Sequence, residues 1–148
     1  MKSARRRSRE FALQGVYQWL LAGGEVATIE SEIAGMEGFS KADRPYFSDL
    51  LRGTVGSAPQ LELTLKPCLD RRLSELSPVE RGVLLLAGYE FERHPEIPFR
   101  VVINEAIELA KVFGGTDGHK YVNGVLDKLA LSMRSDEVAA RAAGRAKV

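Results

Sequence analysis

The sequence predicts an all-α protein of about seven helices, arranged as two small three-helix-type sub-bundles that share an interface. Three observations carry that reading. Apolar residues recur at spacings of three and four along most of the chain, which is the helical period. No alternating, β-branched run bounded by hairpin turns occurs. The 148 residues are 45% apolar and 28% charged, as in an ordinary soluble domain. A chain of that length buries roughly 70% of its unfolded surface and needs neither disulfide nor metal to hold a core.

The first helix starts inside an N-terminal arginine run and reaches about Ala22, with Leu13, Val16, Tyr17 and Leu20 at i, i+3, i+4 and i+7. Gly23-Gly24 stops it. A short second helix runs from about Thr28, as N-cap, to Met36, with Ile29, Ile33 and Met36 inward and Gly38 beyond its end. The third opens near Asp43, where Ser40 or Asp43 caps and Pro45 sits in the first turn, and it buries Phe47, Leu50, Leu51 and Val55. Pro59 is expected to kink or restart it, and Lys66-Pro67 is a second break. Cys68, Leu69, Leu73 and Leu76 suggest another short helical piece.

Ser77-Pro78-Val79-Glu80 is a strong start signal, with serine at N-cap, proline at N1 and glutamate at N3. The helix behind it, to about Arg93, carries Val83 to Ala87 and Phe91, an apolar arc wide enough for a central helix buried on several sides. Pro98 opens the next helix, which ends at Phe113 before Gly114-Gly115. The last clear helix begins with Thr116 or Asp117 as N-cap and buries Val122, Val125, Leu126 and Leu129. The reading is one domain over about 1–135, with sub-bundles at about 4–66 and 67–134, and a disordered or frayed tail over 136–148.

The single cysteine, Cys68, excludes an internal disulfide and fits a reducing compartment. No apolar stretch approaches the ~20 residues of a membrane helix, and no apolar core follows the basic N-terminus as in a secretory signal. A cytoplasmic protein without a membrane partner is expected. The formal net charge of +1 hides an asymmetry. Lys2, Arg5, Arg6, Arg7 and Arg9 lie within nine residues that contain no acid, so the remainder of the chain carries −4. Local potential, rather than net charge, attracts a polyanion.

Catalytic and metal chemistry is not legible. His94 and His119 lie far apart with no cysteine pair, which argues against zinc. Gly114-Gly115-Thr116-Asp117-Gly118-His119-Lys120 fails as a phosphate loop, since residue 121 is tyrosine and a helix, not a strand, precedes it. No nucleophile elbow is present. Glu90 in the central helix reads as half of a buried ion pair. A non-enzyme without cofactor is expected.

Binding chemistry is legible at two places. Arg5 and Arg9 are four apart and Arg6 and Arg9 three apart, so each pair shares a helix face on which guanidinium groups can meet phosphates or bases. In the last helix Lys120, Asn123 and Asp127 lie opposite the apolar stripe, with Tyr121 at its margin. Cation, amide and aromatic ring together suit single-stranded RNA. The alternative places Tyr121 in the core and Asn123 in an inter-helix hydrogen bond.

Three segments together carry a resemblance. Arg5-Arg6-Arg7-Ser8-Arg9-Glu10 with Tyr17 and Trp19, then Ile103-Asn104-Glu105-Ala106-Ile107-Glu108-Leu109-Ala110-Lys111 with Phe113-Gly114, then Lys120-Tyr121-Val122-Asn123-Gly124-Val125-Leu126-Asp127 resemble the NusB family of bacterial transcription antitermination factors, in that family's order. The likeness spans residues 2 to 132. It implies binding of the single-stranded boxA element of nascent ribosomal RNA, partnership with the ribosomal protein NusE, and assembly with RNA polymerase and other Nus factors, as a monomer or weak homodimer. It assigns RNA contact to Arg5, Arg6, Arg7 and Arg9, and to Asp117, Lys120 and Tyr121; Lys2 and Asn123 join them from the charge and polar-face readings above. It puts the protein-partner surface around Glu75, Leu76 and Glu80. Two rivals are a domain related to the head of ribosomal RNA cytosine methyltransferases and a protein-only helical adaptor. The RNA reading expects the arginine arm to lie beside the start of the last helix as one continuous cradle.

Overall fold

The structure, a computed structural model, describes residues 2–115 and 117–146. Among these residues are seven α-helices and no strand. Helix α1 (Ala4–Ala22) is capped by Ser3, whose Oγ accepts from the Arg6 amide at 3.1 Å, and ends at Gly23, where φ is 69°. Glycine is needed there because a side chain disfavours positive φ. Helix α2 (Val26–Ala34) begins two residues before the expected Thr28 cap. Glu25 takes the N-cap place without a side-chain bond. Met36 falls outside this helix and is 40% exposed rather than inward.

A 3-10 turn over Phe39–Lys41 leads to α3 (Arg44–Leu65), where Asp43 Oδ1 accepts from the Tyr46 amide at 3.1 Å. Pro59 lies inside α3 and does not end it. Proline removes one helical hydrogen bond, but Ala58, Leu61 and Leu65 continue the buried stripe of Leu50, Leu51 and Thr54 past it. The expected helical piece after Lys66-Pro67 is instead two 3-10 turns, Lys66–Cys68 and Leu73–Glu75.

Helix α4 (Pro78–Arg93) has the full capping box: Glu80 N–H donates to Ser77 Oγ at 3.1 Å and Ser77 N–H to Glu80 Oε2 at 3.4 Å. Every residue from Gly82 to Phe91 is buried, because α4 packs against α1, α3, α5 and α6. Helices α5 (Phe99–Phe113) and α6 (Gly118–Met133) pack on each other and on α4. One hydrophobic cluster runs through all of them, from Ala12 and Leu13 to Leu129 and Ala130. Asp117 stands at the N-cap of α6 without a side-chain cap bond, and the alternative cap, Thr116, lies outside the described residues.

The chain after α6 departs from the expected frayed tail. It forms α7 (Ser135–Ala146), with residues 147–148 outside the described residues. Its anchor is polar. Arg134 donates to the carbonyls of Phe91, Ile97 and His94 at 2.9–3.0 Å, and to Glu137 at 2.7 Å. Glu137 Oε2 in turn accepts the Phe99 amide at 2.6 Å, supplying the cap that Pro98 cannot provide at the start of α5.

Candidate nucleic-acid interface

The arginine run folds as the first turns of α1, and its helical spacing sorts the side chains onto different faces. Arg9 points inward and is 5% exposed. Its Nε and Nη2 donate to the two Glu90 carboxylate oxygens at 2.8 and 2.9 Å, Nη1 to Glu105 at 3.1 Å, and Nη2 also to the Tyr46 hydroxyl at 3.2 Å. The Tyr46 hydroxyl donates to Glu90 at 2.7 Å. Burial alone would lower the Arg9 pKa, but the bonds and charge of Glu90 reverse that, and the guanidinium stays charged at any working pH. For Tyr46, burial first and the neighbouring Glu90 second push the phenol well above its ordinary range. Arg9 is therefore corrected from a free RNA contact to the buried partner of Glu90 and Glu105.

Arg6 shares the Glu105 carboxylate, with Nη2 at 2.6 Å and Nε at 3.3 Å, and Lys2 bonds Glu10 at 3.0 Å. Arg5 is exposed and lies over the Tyr46 ring, 4.5 Å from its centroid. Arg7 is half-buried and forms no ion pair among the described residues. The spacing argument did not distinguish the buried Arg9 from its more exposed neighbours. It missed that Glu105, in the second matched segment, supplies the anion for two of these arginines.

At the start of α6, Lys120 Nζ lies 3.3 Å from Asp117, both side chains being well exposed. Tyr121 is half-buried, and one ring face is already covered by the Arg71 guanidinium, 4.2 Å from the centroid. Arg71 is aligned by Asp70 at 2.8 Å. Burial, then the negative charge of Asp70, raises the Tyr121 phenol above its usual value. On that face a base displaces Arg71 or stacks on the guanidinium itself. Asn123 does not make the alternative inter-helix bond through its oxygen, since Oδ1 is buried without a partner among the described residues.

Among the described residues no hydrogen bond or ion pair joins the arginine arm to the start of α6. Helix α5 packs against both α1 and α6, and its Glu105 and Glu108 line the hollow beside Lys2, Arg6 and Arg9. Arg6 and Arg9 meet carboxylates there, while Lys120 pairs with Asp117. The structure brings Lys2, Arg6 and Arg9 together beside α5, and pairs Lys120 with Asp117 and Tyr121 with Arg71.

The expected partner residues also divide. Leu76 is buried at 7% exposure and belongs to the core, so it is corrected as a docking residue. Glu80 is spent in the α4 capping box, and Glu75 is exposed beside Arg72. A surface that periodicity did not single out lies next to Glu80. Tyr17, Leu21, Met36, Val79 and Phe113 line a groove of about 670 Å³ between α1, α2 and the ends of α4 and α5. Tyr17 is 38% and Leu21 58% exposed. Helical spacing had placed Tyr17 and Met36 inward, because an apolar stripe reads alike whether it faces a core or an absent neighbour.

The NusB family model matches residues 6–131 of this chain. A transcription antitermination protein NusB of Nitrosospira multiformis is 61% identical over 133 residues, covering 90% of this chain and 84% of that protein. One from Paraburkholderia phymatum is 56% identical over 142 residues, covering 96% and 98%. Among solved structures, T. maritima NusB superposes with a TM-score of 0.78 at 33% identity, over 88% of this chain and 92% of that one. A chain from a crystal structure of the antitermination factors NusB and NusE in complex with dsRNA also reaches 0.78, at 21% identity over 89% and 99%, which establishes a shared fold.

Proposed function

The chain belongs to the NusB family, and from that premise we propose that it is a cytoplasmic transcription antitermination factor that binds the boxA element of nascent ribosomal RNA together with NusE and joins RNA polymerase and other Nus factors. It works by binding and performs no catalysis. The observation that carries the reading is the concentration of cations on the first turns of a folded helix, attached to a body that is otherwise net acidic. A polyanion is steered to such a charged end even though the whole protein is near neutral. No described helix is long and apolar enough to cross a membrane.

The groove of Tyr17, Leu21, Met36 and Phe113 supports a protein partner beside the RNA. Exposed aromatic and aliphatic side chains around a concave floor provide the kind of anchors that interfaces use. This face replaces Leu76 as the centre of the NusE surface, with Glu80 at its margin. The protein-only adaptor reading uses the same groove but leaves the arginine end idle, so RNA binding separates the two.

The deciding experiment is fluorescence anisotropy with boxA RNA against a scrambled RNA of equal length, with and without NusE. Tighter binding of boxA, sharpened by NusE, is expected. Equal affinity for both RNAs in the presence of NusE contradicts the assignment.

A further inference from the structure

The last helix builds a hollow that neither the RNA reading nor the NusE groove uses. Helix α7 lies after the residues matched by the family model and packs on α6. Val138, Arg141, Ala142 and Arg145 stand at i, i+3, i+4 and i+7, on one face of that helix. With Phe99 and Arg100 of α5, and Asp127 and Leu131 of α6, that face surrounds a hollow of about 470 Å³. None of these residues lines the groove of Tyr17 or the hollow beside Lys2.

The hollow combines unmatched positive charge with exposed aliphatic surface. Arg100 bonds Asp127 at 3.2 Å, while Arg141 and Arg145 form no ion pair among the described residues. Three guanidinium groups thus share the hollow with one carboxylate. Helical spacing would give Arg141 the carboxylate of Glu137, four residues earlier. That carboxylate is engaged by Arg134 at 2.7 Å and by the Phe99 amide at 2.6 Å. The helix dipole favours Arg145 in the last turn, but Arg141, nearer the middle, has no such local reason. Leu131 is 61% exposed in the same hollow as the half-buried Val138.

We propose that this hollow docks an acidic helical segment of a protein partner, whose carboxylates meet Arg141 and Arg145 and whose aliphatic side chain covers Leu131. Charge complementarity carries the choice. Arginine binds carboxylates bidentately and is enriched at protein interfaces beside apolar anchors. The two arginines are one helical turn apart, so carboxylates roughly 6 Å apart, as at i and i+4 of a second helix, match them. Single-stranded RNA fits less well, because a base needs an open ring to stack on. The one ring in the hollow, Phe99, is 7% exposed and has Arg100 over it at 5.9 Å. The site needs neither boxA RNA nor NusE.

The test is an NMR titration of the full, isotope-labelled chain with a synthetic peptide of about 15 residues, long enough to form a helix, that carries glutamates at i and i+4 flanking a leucine. Amide shifts are expected at Leu131, Val138 and Arg141, and not in the first turns of α1. R141Q/R145Q is expected to weaken the peptide about tenfold, the effect of two exposed ion pairs, with a parental circular dichroism melt. L131S is expected to weaken it as well. R141E/R145E should instead bind a version of the peptide with lysine for each glutamate, which the parent chain refuses. Parental affinity in R141Q/R145Q, failure of the charge swap, or no shifts at α7 with millimolar peptide overturns the site. A single-stranded RNA that shifts the α7 amides as strongly as the peptide overturns the choice of a protein ligand.

Discussion

Arg9 lies one turn along α1 from Arg5 and Arg6, yet its guanidinium closes on Glu90, Glu105 and Tyr46 in the interior. Removing one partner of a buried pair leaves the other charge unpaired, so Arg9→Ala is expected to cost about 3–5 kcal/mol in urea unfolding. RNA bound by the remaining folded protein should keep its salt slope; a flattened slope with unchanged stability would return Arg9 to the RNA surface. Gly53 is a second residue whose identity is set by its neighbour. A Cβ there would come within 2.1–2.3 Å of Tyr89 ring atoms. That ring cannot move away freely, because its hydroxyl is bonded to Asp49 at 2.7 Å and its edge faces His94. Gly53→Ala therefore separates α3 from α4 and is expected to cost about 1–3 kcal/mol, read as a lower urea midpoint. An alanine variant as stable as the parent would show that the helices can part at no cost.

At the scale of the element, α3 and α7 both outlast the local signals that argued against them. Helix α3 passes through Pro59 because both sides of the proline bury the same stripe against α4. Helix α7 follows a sequence that is mostly alanine and charge, and its hold on the fold is made by the Arg134–Glu137 pair and the Phe99 amide. Glu137→Ala uncaps α5 and frees Arg134 from its carboxylate. A loss of about 1–2 kcal/mol is expected, the scale of a lost N-cap. Hydrogen exchange should show the change first in the opening turn of α5, and exchange there at the parental rate would mean that Glu137 does not hold it.

For the whole molecule, the charged end and the apolar groove make different demands. Phosphate contacts weaken with salt, whereas burial of Tyr17 and Leu21 under a partner does not. Tyr17→Asp is accordingly expected to weaken NusE binding at least tenfold in calorimetry while leaving the RNA salt slope of the isolated chain unchanged. If NusE binds the variant at parental affinity, the groove is not its seat. An overall charge of +1 carries little information for a related reason: Lys2, Arg6 and Arg9 are matched by Glu10, Glu105 and Glu90, while Arg5 and Arg7 have no carboxylate partner among the described residues.

Periodicity, caps and punctuation by glycine and proline determine the all-helical class, the capping box at Ser77, the central place of α4 and the burial of Glu90. Each depends on residues within a turn or two of one another, so each is written locally. Which partner Glu90 takes, which arginines stay free, that Leu76 is core while Tyr17 is surface, and that Arg71 covers Tyr121 are decided only when helices distant in the chain come together. Arg9 and Glu90 are 81 positions apart, and no short-range pattern encodes the pairing of charges at such a separation.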